Sequence, residues 1–236
     1  MTTFTDKYQV LKQVFGYDSF RPGQEHLINA ILAGKDVLGI MPTGAGKSIV
    51  YQVPALLFPG ITLVISPLIS LMKDQVEGLN QAGVHAAYLN SSLTQNQYFK
   101  ALDFARAGRY PIIYVAPERL LTDSFLSFAL NANISMVAVD ESHCVSQWGQ
   151  DFRPSYLRIV QFIDSLPKRP VVGAFTATAT RSVQEDVERI LELRSPVREV
   201  TGFDRPNLYF EVIQPESKDK TLLRLLAGQK RKSGII

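Results

Sequence analysis

Short, almost wholly apolar runs rich in β-branched residues recur along this chain, at Val37–Met41, Ile61–Ser66, His85–Leu89, Ile112–Ala116, Ser135–Asp140 and Val171–Phe175, with a weaker one at Val197–Thr201. Amphipathic stretches lie between and around them: Gly23–Ala33, Lys47–Phe58, Leu68–Ala82, Gln95–Ala107, Ser155–Leu166 and Val183–Leu193. A strand without polar alternation is one buried on both faces. Regular exchange of such strands with helical periodicity specifies an α/β fold, a mostly parallel sheet with helices on both faces. Ligands of these sheets sit beyond the carboxyl ends of the strands. Chemistry is therefore expected there.

Composition narrows the setting. With 46% hydrophobic and 20% charged residues, the 236-residue chain has ample material for a large core. No apolar run approaches the roughly 20 residues of a membrane-spanning helix, and Met1–Asp6 lacks the charged start of a secretory signal. The single cysteine, Cys144, excludes an internal disulfide and a cysteine zinc cluster, so zinc is not expected. These features favour the cytoplasm, the bacterial nucleoid or the nucleus over secretion, and no membrane partner. A net charge of +3 is too weak to mark a nucleic-acid binder by itself, so any such site has to be a local patch.

The α/β pattern spans residues 1–200. Residues 201–236 read as a linker and the start of a truncated further domain. Asp204–Asn207 looks like a turn, Leu208–Val212 a possible strand, and Gln214–Lys220 a polar exposed stretch. The chain stops at Ser233–Ile236 as an apolar strand begins, which suggests a piece of something longer.

The strand at Val37–Met41 runs into Pro42-Thr43-Gly44-Ala45-Gly46-Lys47-Ser48 and then a helix, the second half of a Walker A pattern with Met41 at its first glycine position. Gly44 and Gly46 let backbone N–H groups converge on phosphate oxygens, and the helix points its positive end at the same anion. Lys47 can reach β- and γ-phosphates, and the Ser48 hydroxyl can bind Mg²⁺. The bland alternative is an ordinary glycine-rich turn. The strand Ser135–Asp140 ends in Asp140-Glu141-Ser142-His143, a Walker B arrangement. Asp140 would hold Mg²⁺, and Glu141 would orient and deprotonate an attacking water. Solvated acids capping a strand are the alternative. Both readings require the Gly-Lys-Ser turn and the Asp-Glu strand end to face one another across a gap sized for a triphosphate.

Asp-Glu-x-His after Thr-Gly-x-Gly-Lys-Ser resembles the superfamily two helicases, and further residues resemble the RecQ family. Phe15-Gly16-Tyr17 with Phe20–Gln24 is similar to that family's adenine-recognition motif, Cys144–Pro154 to its aromatic-rich loop, and Phe175–Thr180 to motif III. Gln150 departs from the family's usual His. The resemblance implies a RecA-like P-loop domain that couples ATP hydrolysis, with Mg²⁺, to movement on single-stranded and branched DNA in the 3′-to-5′ direction and to unwinding. Residues 1–200 would be the first motor domain. A second RecA-like domain of the same full-length chain would supply an arginine finger. Alone, this chain would bind nucleotide weakly, hydrolyse it slowly and not unwind. An RNA helicase or other superfamily two translocase, or a non-hydrolysing nucleotide-binding module, are the other readings.

The resemblance also implies roles with structural alternatives beside them. Tyr17 would stack on adenine, with Arg21 and Gln24 on the base or phosphates; Phe15, Tyr17 and Phe20 could equally be core aromatics. Gln147, Trp148, Phe152 and Arg153 would contact DNA, since loop aromatics stack on unpaired bases, or else fold onto the domain. His143 would link this loop to the nucleotide, though a lone His is more often structural. Ser66 and Lys73 of motif Ia, Ser91 and Arg119 would track the DNA backbone, or serve as helix caps. Thr176 and Thr178 would relay between the two sites. Alternatively they serve a helix start, for which Ser182–Glu185 has capping-box spacing.

Overall fold

A computed structural model of the chain describes residues 4–149, 151–202 and 208–228. Gln150, the Asp204–Asn207 turn and the Ser233–Ile236 run lie outside the described residues. The helices are α1 (Lys7–Phe15), α2 (Gln24–Leu32), α3 (Lys47–Ala55), α4 (Ile69–Gln81), α5 (Gln95–Arg106), α6 (Asp123–Asn131), α7 (Arg158–Ser165), α8 (Arg181–Ile190) and α9 (Lys218–Ala227). The strands are β1 (Val37–Ile40), β2 (Ile61–Ile65), β3 (Ala86–Leu89), β4 (Ile112–Val115), β5 (Ile134–Val139), β6 (Val171–Thr176) and β7 (Val197–Val200). They form one sheet in the order β3-β4-β2-β5-β6-β1-β7, with every described pairing parallel.

The apolar runs become strands because both of their faces are covered. In β5, Val137 and Val139 join the core formed with α5, α6, α7 and α8, whereas Met136 and Ala138 join that formed with α1, α2, α3 and α4. Period-two side-chain alternation thus feeds two cores, and neither face tolerates a polar repeat. Packing divides the chain into Met1–Phe203 and Asp204–Ile236.

Several elements differ from expectation. Helix α1 is capped by Asp6, whose carboxylate accepts from the N–H groups of Tyr8 and Gln9, and is closed by Gly16 in the left-handed conformation. Helix α6 follows Thr122. Both were absent from the sequence reading, because each is short and buries few residues. The cap of α8 is Thr180, which accepts from Val183 N–H at 3.4 Å, not Ser182. Helix α7 starts late because Pro154–Leu157 forms a 3₁₀ turn first. Leu208–Val212 is no strand, since no described strand pairs with it. Lys218–Ala227, partly within the stretch read as polar and exposed, is helical and capped by Ser217.

Candidate nucleotide site and its link to the aromatic loop

Strand order sets the site. Between β5, which ends at the acid pair, and β1, which ends at the glycine-rich loop, lies β6 alone. Two inter-strand spacings separate those strand ends, about 10 Å. Thr176, the last residue of β6, stands between them, and its carbonyl accepts from Met41 N–H at 3.0 Å. Met41 occupies the position of the general motif's first glycine without penalty: its side chain is buried in the core and its carbonyl accepts from Lys47 Nζ at 3.2 Å.

Lys47, Ser48, Asp140 and Glu141 line one cavity of about 360 Å³ together with Thr43, Gly44, Gly46, Tyr17, Arg21 and Gln24. Ala45 is not on its wall, and the Ala45 carbonyl accepts from the Gln24 amide. Gly46 is required for its backbone conformation, and a side chain there would also push on Gln24. It has φ +81°, and a Cβ there would lie 2.5 Å from Gln24 Nε2. Gln24 is 3% exposed. Its amide donates to Ala45 O at 3.1 Å and Gly46 O at 3.0 Å, while Oε1 accepts from Arg21 N–H at 2.8 Å. Arg21 Nη1 donates to the Gly44 carbonyl. The segment read as adenine-binding therefore braces the phosphate loop, and contact with a base would require the Gln24 amide to turn from those carbonyls. Tyr17 is 50% exposed on the rim.

Adjacent strand residues face opposite sides of a sheet, so two neighbouring acids cannot share a site within a strand. Here the strand stops at Val139, and Glu141 takes a left-handed conformation (φ 47°) that brings both carboxylates to the cavity. Positive φ in a non-glycine residue is strained, and such strain gathers at working sites. Asp140 is 6% exposed. Burial, then the Glu141 charge, raises its pKa to about 6, against the opposing pull of Glu141 N–H (3.0 Å) and Lys47.

From this turn a chain of contacts leads outward. Thr176 Oγ1 donates to Thr178 O at 3.2 Å, which leaves it an acceptor for His143 Nδ1 at 2.8 Å. That pairing assigns the imidazole proton to Nδ1, and the same nitrogen lies 3.3 Å from Glu141 Oε2. His143 is the second residue of the 3₁₀ turn Ser142–Val145, beyond which Trp148 is 80% exposed. Gly149 is needed for close approach, because a Cβ would meet His143 O at 2.4 Å. Gln147 is exposed and Phe152 half-buried. Arg153 pairs with Asp151 at 2.8 Å and donates to Pro67 O at 3.1 Å, tying the aromatic loop to the turn before α4. Burial pushes the Cys144 thiol up to about 12, so it is no reactive nucleophile.

The remaining candidates are not on the wall of the nucleotide cavity. Ser66 is buried with no hydrogen-bond partner for its hydroxyl among the described residues. Lys73 and Ser91 are exposed, and Lys73 lies 3.8 Å from Glu77. Arg119 stacks 5.1 Å from the Tyr98 ring centre, with Nη2 3.4 Å from Asn90 O. Thr178 is exposed.

The DEAD/DEAH box helicase family profile matches residues 21–187. This chain belongs to the DEAD/DEAH box helicase family. Among curated relatives, this helicase-family domain is 48% identical over 227 residues to the ATP-dependent DNA helicase RecQ of Pasteurella multocida, covering 96% of this chain and 36% of that protein. It is 43% identical over 228 residues to the ATP-dependent DNA helicase RecQ of Bacillus subtilis, covering 96% of this chain and 39% of that protein. It thus spans little more than a third of these relatives. The fold resembles a hypothetical ATP-dependent RNA helicase from Sulfolobus tokodaii, with TM-score 0.62 and 21% identity over 82% of this chain and 56% of that one. It also resembles the DUF1998 helicase MrfA bound to DNA, with TM-score 0.64 and 16% identity over 84% of this chain and 29% of that one. Among the described residues of the helicase domain, no helix is long and apolar enough to cross a membrane.

Two residues that shape the site of this helicase domain escaped the sequence. Tyr156, fully buried, donates to Asp140 O at 2.9 Å and so holds the strained turn from behind. Asp186 on α8 accepts from Ser146 Oγ at 2.7 Å, and Ser146 Oγ accepts from Trp148 N–H at 3.1 Å. Neither carries a local signal, because both act across long sequence separations.

Proposed function

We propose that this chain is the ATP-binding motor domain of a 3′-to-5′ RecQ-type DNA helicase, which couples ATP hydrolysis to movement along single-stranded DNA and to unwinding. The observation that carries the reading is the shared cavity, with Lys47 on the β1 side and the Asp140–Glu141 pair on the β5 side. In this reading Tyr17 stacks on the adenine, and Arg21 and Gln24, on the same wall, contact the base or nearby phosphates once the Gln24 amide turns from the loop carbonyls. Lys47 meets the β- and γ-phosphates, and the Thr43–Ser48 loop cradles them with backbone N–H groups. Glu141 orients the attacking water and accepts its proton. The Ser48 hydroxyl and the Asp140 carboxylate are hard oxygen donors on one cavity, and such donors suit Mg²⁺. Mg²⁺, when bound, offsets phosphate charge. His143 and Thr176 carry the state of this pocket to Trp148, Phe152 and the DNA. Ser66, Lys73, Ser91, Arg119, Gln147, Arg153 and Thr178 belong to the DNA-facing and coupling set.

Residues 1–200 form the first motor domain in this reading, and 201–236 the linker and start of a second. That second domain supplies an arginine finger, worth about 10³–10⁵ in rate in related phosphoryl transfers. The isolated chain therefore hydrolyses ATP slowly and does not unwind. The protein works where DNA is, in the nucleoid or nucleus, on single-stranded and branched substrates.

Glu141→Gln in the full-length protein tests the assignment. DNA-stimulated ATPase is expected to fall roughly 10²–10⁴-fold, while binding of a fluorescent ATP analogue stays unchanged. A rate unchanged by the substitution would remove Glu141 from the chemistry, and no DNA-stimulated ATPase in the unsubstituted protein would leave a nucleotide-binding module that does not turn over. Fold likeness to an RNA helicase keeps a second reading in view, so single-stranded DNA and RNA are compared as activators. Equal stimulation by RNA would remove the DNA assignment.

A further inference from the structure

The amino ends of the strands hold a cavity of about 710 Å³, larger than the nucleotide cleft. Lys35, Lys168, Arg169 and Arg194 line it, with Asp36 the single acid on its wall. The wall therefore carries an excess of three positive charges. Asp36 does not neutralise the rim, because its carboxylate is turned inward onto Arg169 at 2.7 Å. Among the described residues, Lys35, Lys168 and Arg194 have no ion-pair partner.

The placement of these cations is regular. Lys35 precedes β1, Lys168 precedes β6 and Arg194 precedes β7, each by two or three residues, and β6, β1 and β7 are consecutive in the sheet. Strands lie about 5 Å apart, so the unpaired cations form a row roughly 10 Å long. The backbone beneath the row is fixed. Asp36 accepts from Val172 N–H at 2.9 Å and Arg194 N–H at 2.8 Å, and Arg169 donates to Glu192 O at 3.1 Å. Glu192 and Ser195, on either side of Arg194, are held at φ 50° and 44°. A row suits a linear polyanion, such as a nucleic-acid strand with a phosphate about every 3.4 Å of helix axis, better than the scattered charges of an acidic protein. Phe58, the one aromatic on the wall, is half-buried against the core and unavailable for base stacking.

We infer that this groove is a second nucleic-acid contact, a sequence-independent seat for a run of backbone phosphates at the end of the sheet opposite the nucleotide cleft. The anion chemistry stands on the cavity; its nucleic-acid identity rests on the proposed function. Strands of four to six residues put the two ends of the sheet roughly 13–20 Å apart. The inference therefore expects a tailed duplex, and not a short single strand held at the motif side, to use this groove.

The test uses the full-length protein with Lys35→Ala, Lys168→Ala and Arg194→Ala combined, leaving Asp36 and Arg169 intact. Fluorescence anisotropy is read across a salt series with a 3′-tailed duplex and with a short single strand. For the tailed duplex, affinity is expected to fall roughly tenfold or more, and the log K against log salt slope to become shallower by about 2–3. Short single-strand binding, basal ATPase and the thermal midpoint stay unchanged. An unchanged slope for the tailed duplex overturns the inference. So does loss of poly-glutamate binding with DNA binding intact, which would mark an acidic protein partner. Should the triple variant unfold, Lys35→Gln and Lys168→Gln separately carry the test, each with a slope change of about 1. A slope change beside an ATPase insensitive to Glu141→Gln would keep the groove and discard the motor reading.

Discussion

Two buried aspartates flank this sheet, and they are held in opposite ways. Asp36, 3% exposed before β1, accepts from Arg169 Nη1 and Nη2 at 3.1 and 2.7 Å and from the N–H groups of Val172 and Arg194 at 2.9 and 2.8 Å. Asp140, 6% exposed after β5, accepts from one neighbouring N–H, and burial raises its pKa to about 6. Residue type and burial are nearly the same; satisfaction is not. Donors that converge on a carboxylate make it a tie between loops. A carboxylate left short of donors keeps oxygen capacity for a ligand, at a cost in stability.

Removing each acid should therefore have opposite effects. Asp36→Ala leaves Arg169 and two backbone N–H groups without their partner, a loss of about 3–5 kcal/mol, and the thermal midpoint should fall on the order of 10 °C. A loss below about 1 kcal/mol would break the comparison at its amino end. Asp140→Asn should stabilise the metal-free protein. The folded pKa of about 6 lies above the ordinary 3.8, so the folded state holds the proton more tightly and stability falls as pH rises from about 4 to 6. Denaturant midpoints in chelator should show a gain of up to about 3 kcal/mol at pH 7.5 that vanishes near pH 4. A gain that persists at pH 4 would assign the effect to packing.

Two smaller effects sharpen the carboxyl-end account. Tyr156→Phe removes the donor to Asp140 O, costing about 1–2 kcal/mol. If Tyr156 positions the acid turn, kcat of the full-length ATPase should drop while nucleotide Kd holds; a change in Kd alone would contradict this. Thr180→Ala should cost about 1 kcal/mol as loss of a helix cap. Ser182→Ala should cost less than half of that, and equal losses would return the cap to Ser182.

Much of the site at the carboxyl ends of the strands is legible in the sequence. The phosphate loop and the acid pair are each local: a strand, a turn and a residue type within a few positions, so backbone geometry carries them directly. Helices α1 and α6 were missed because a nine-residue element with two or three buried positions gives periodicity little to act on. The Arg153 guanidinium joins Asp151 and Pro67, and the Gln24 amide braces the phosphate loop. The residue types are legible in the sequence, whereas the contacts with Pro67, Ala45 and Gly46 are not, because those partners lie far along the chain.

By itself, then, the sequence determined the α/β class, the two phosphate-handling motifs and the family resemblance, because all three are written in short-range periodicity and spacing. Tertiary structure alone decided that β6 separates the motifs, that Thr176 and His143 meet between them, and that three unpaired cations align at the far end of the sheet. Strand order is a property of which surfaces pack together, and no local pattern encodes it.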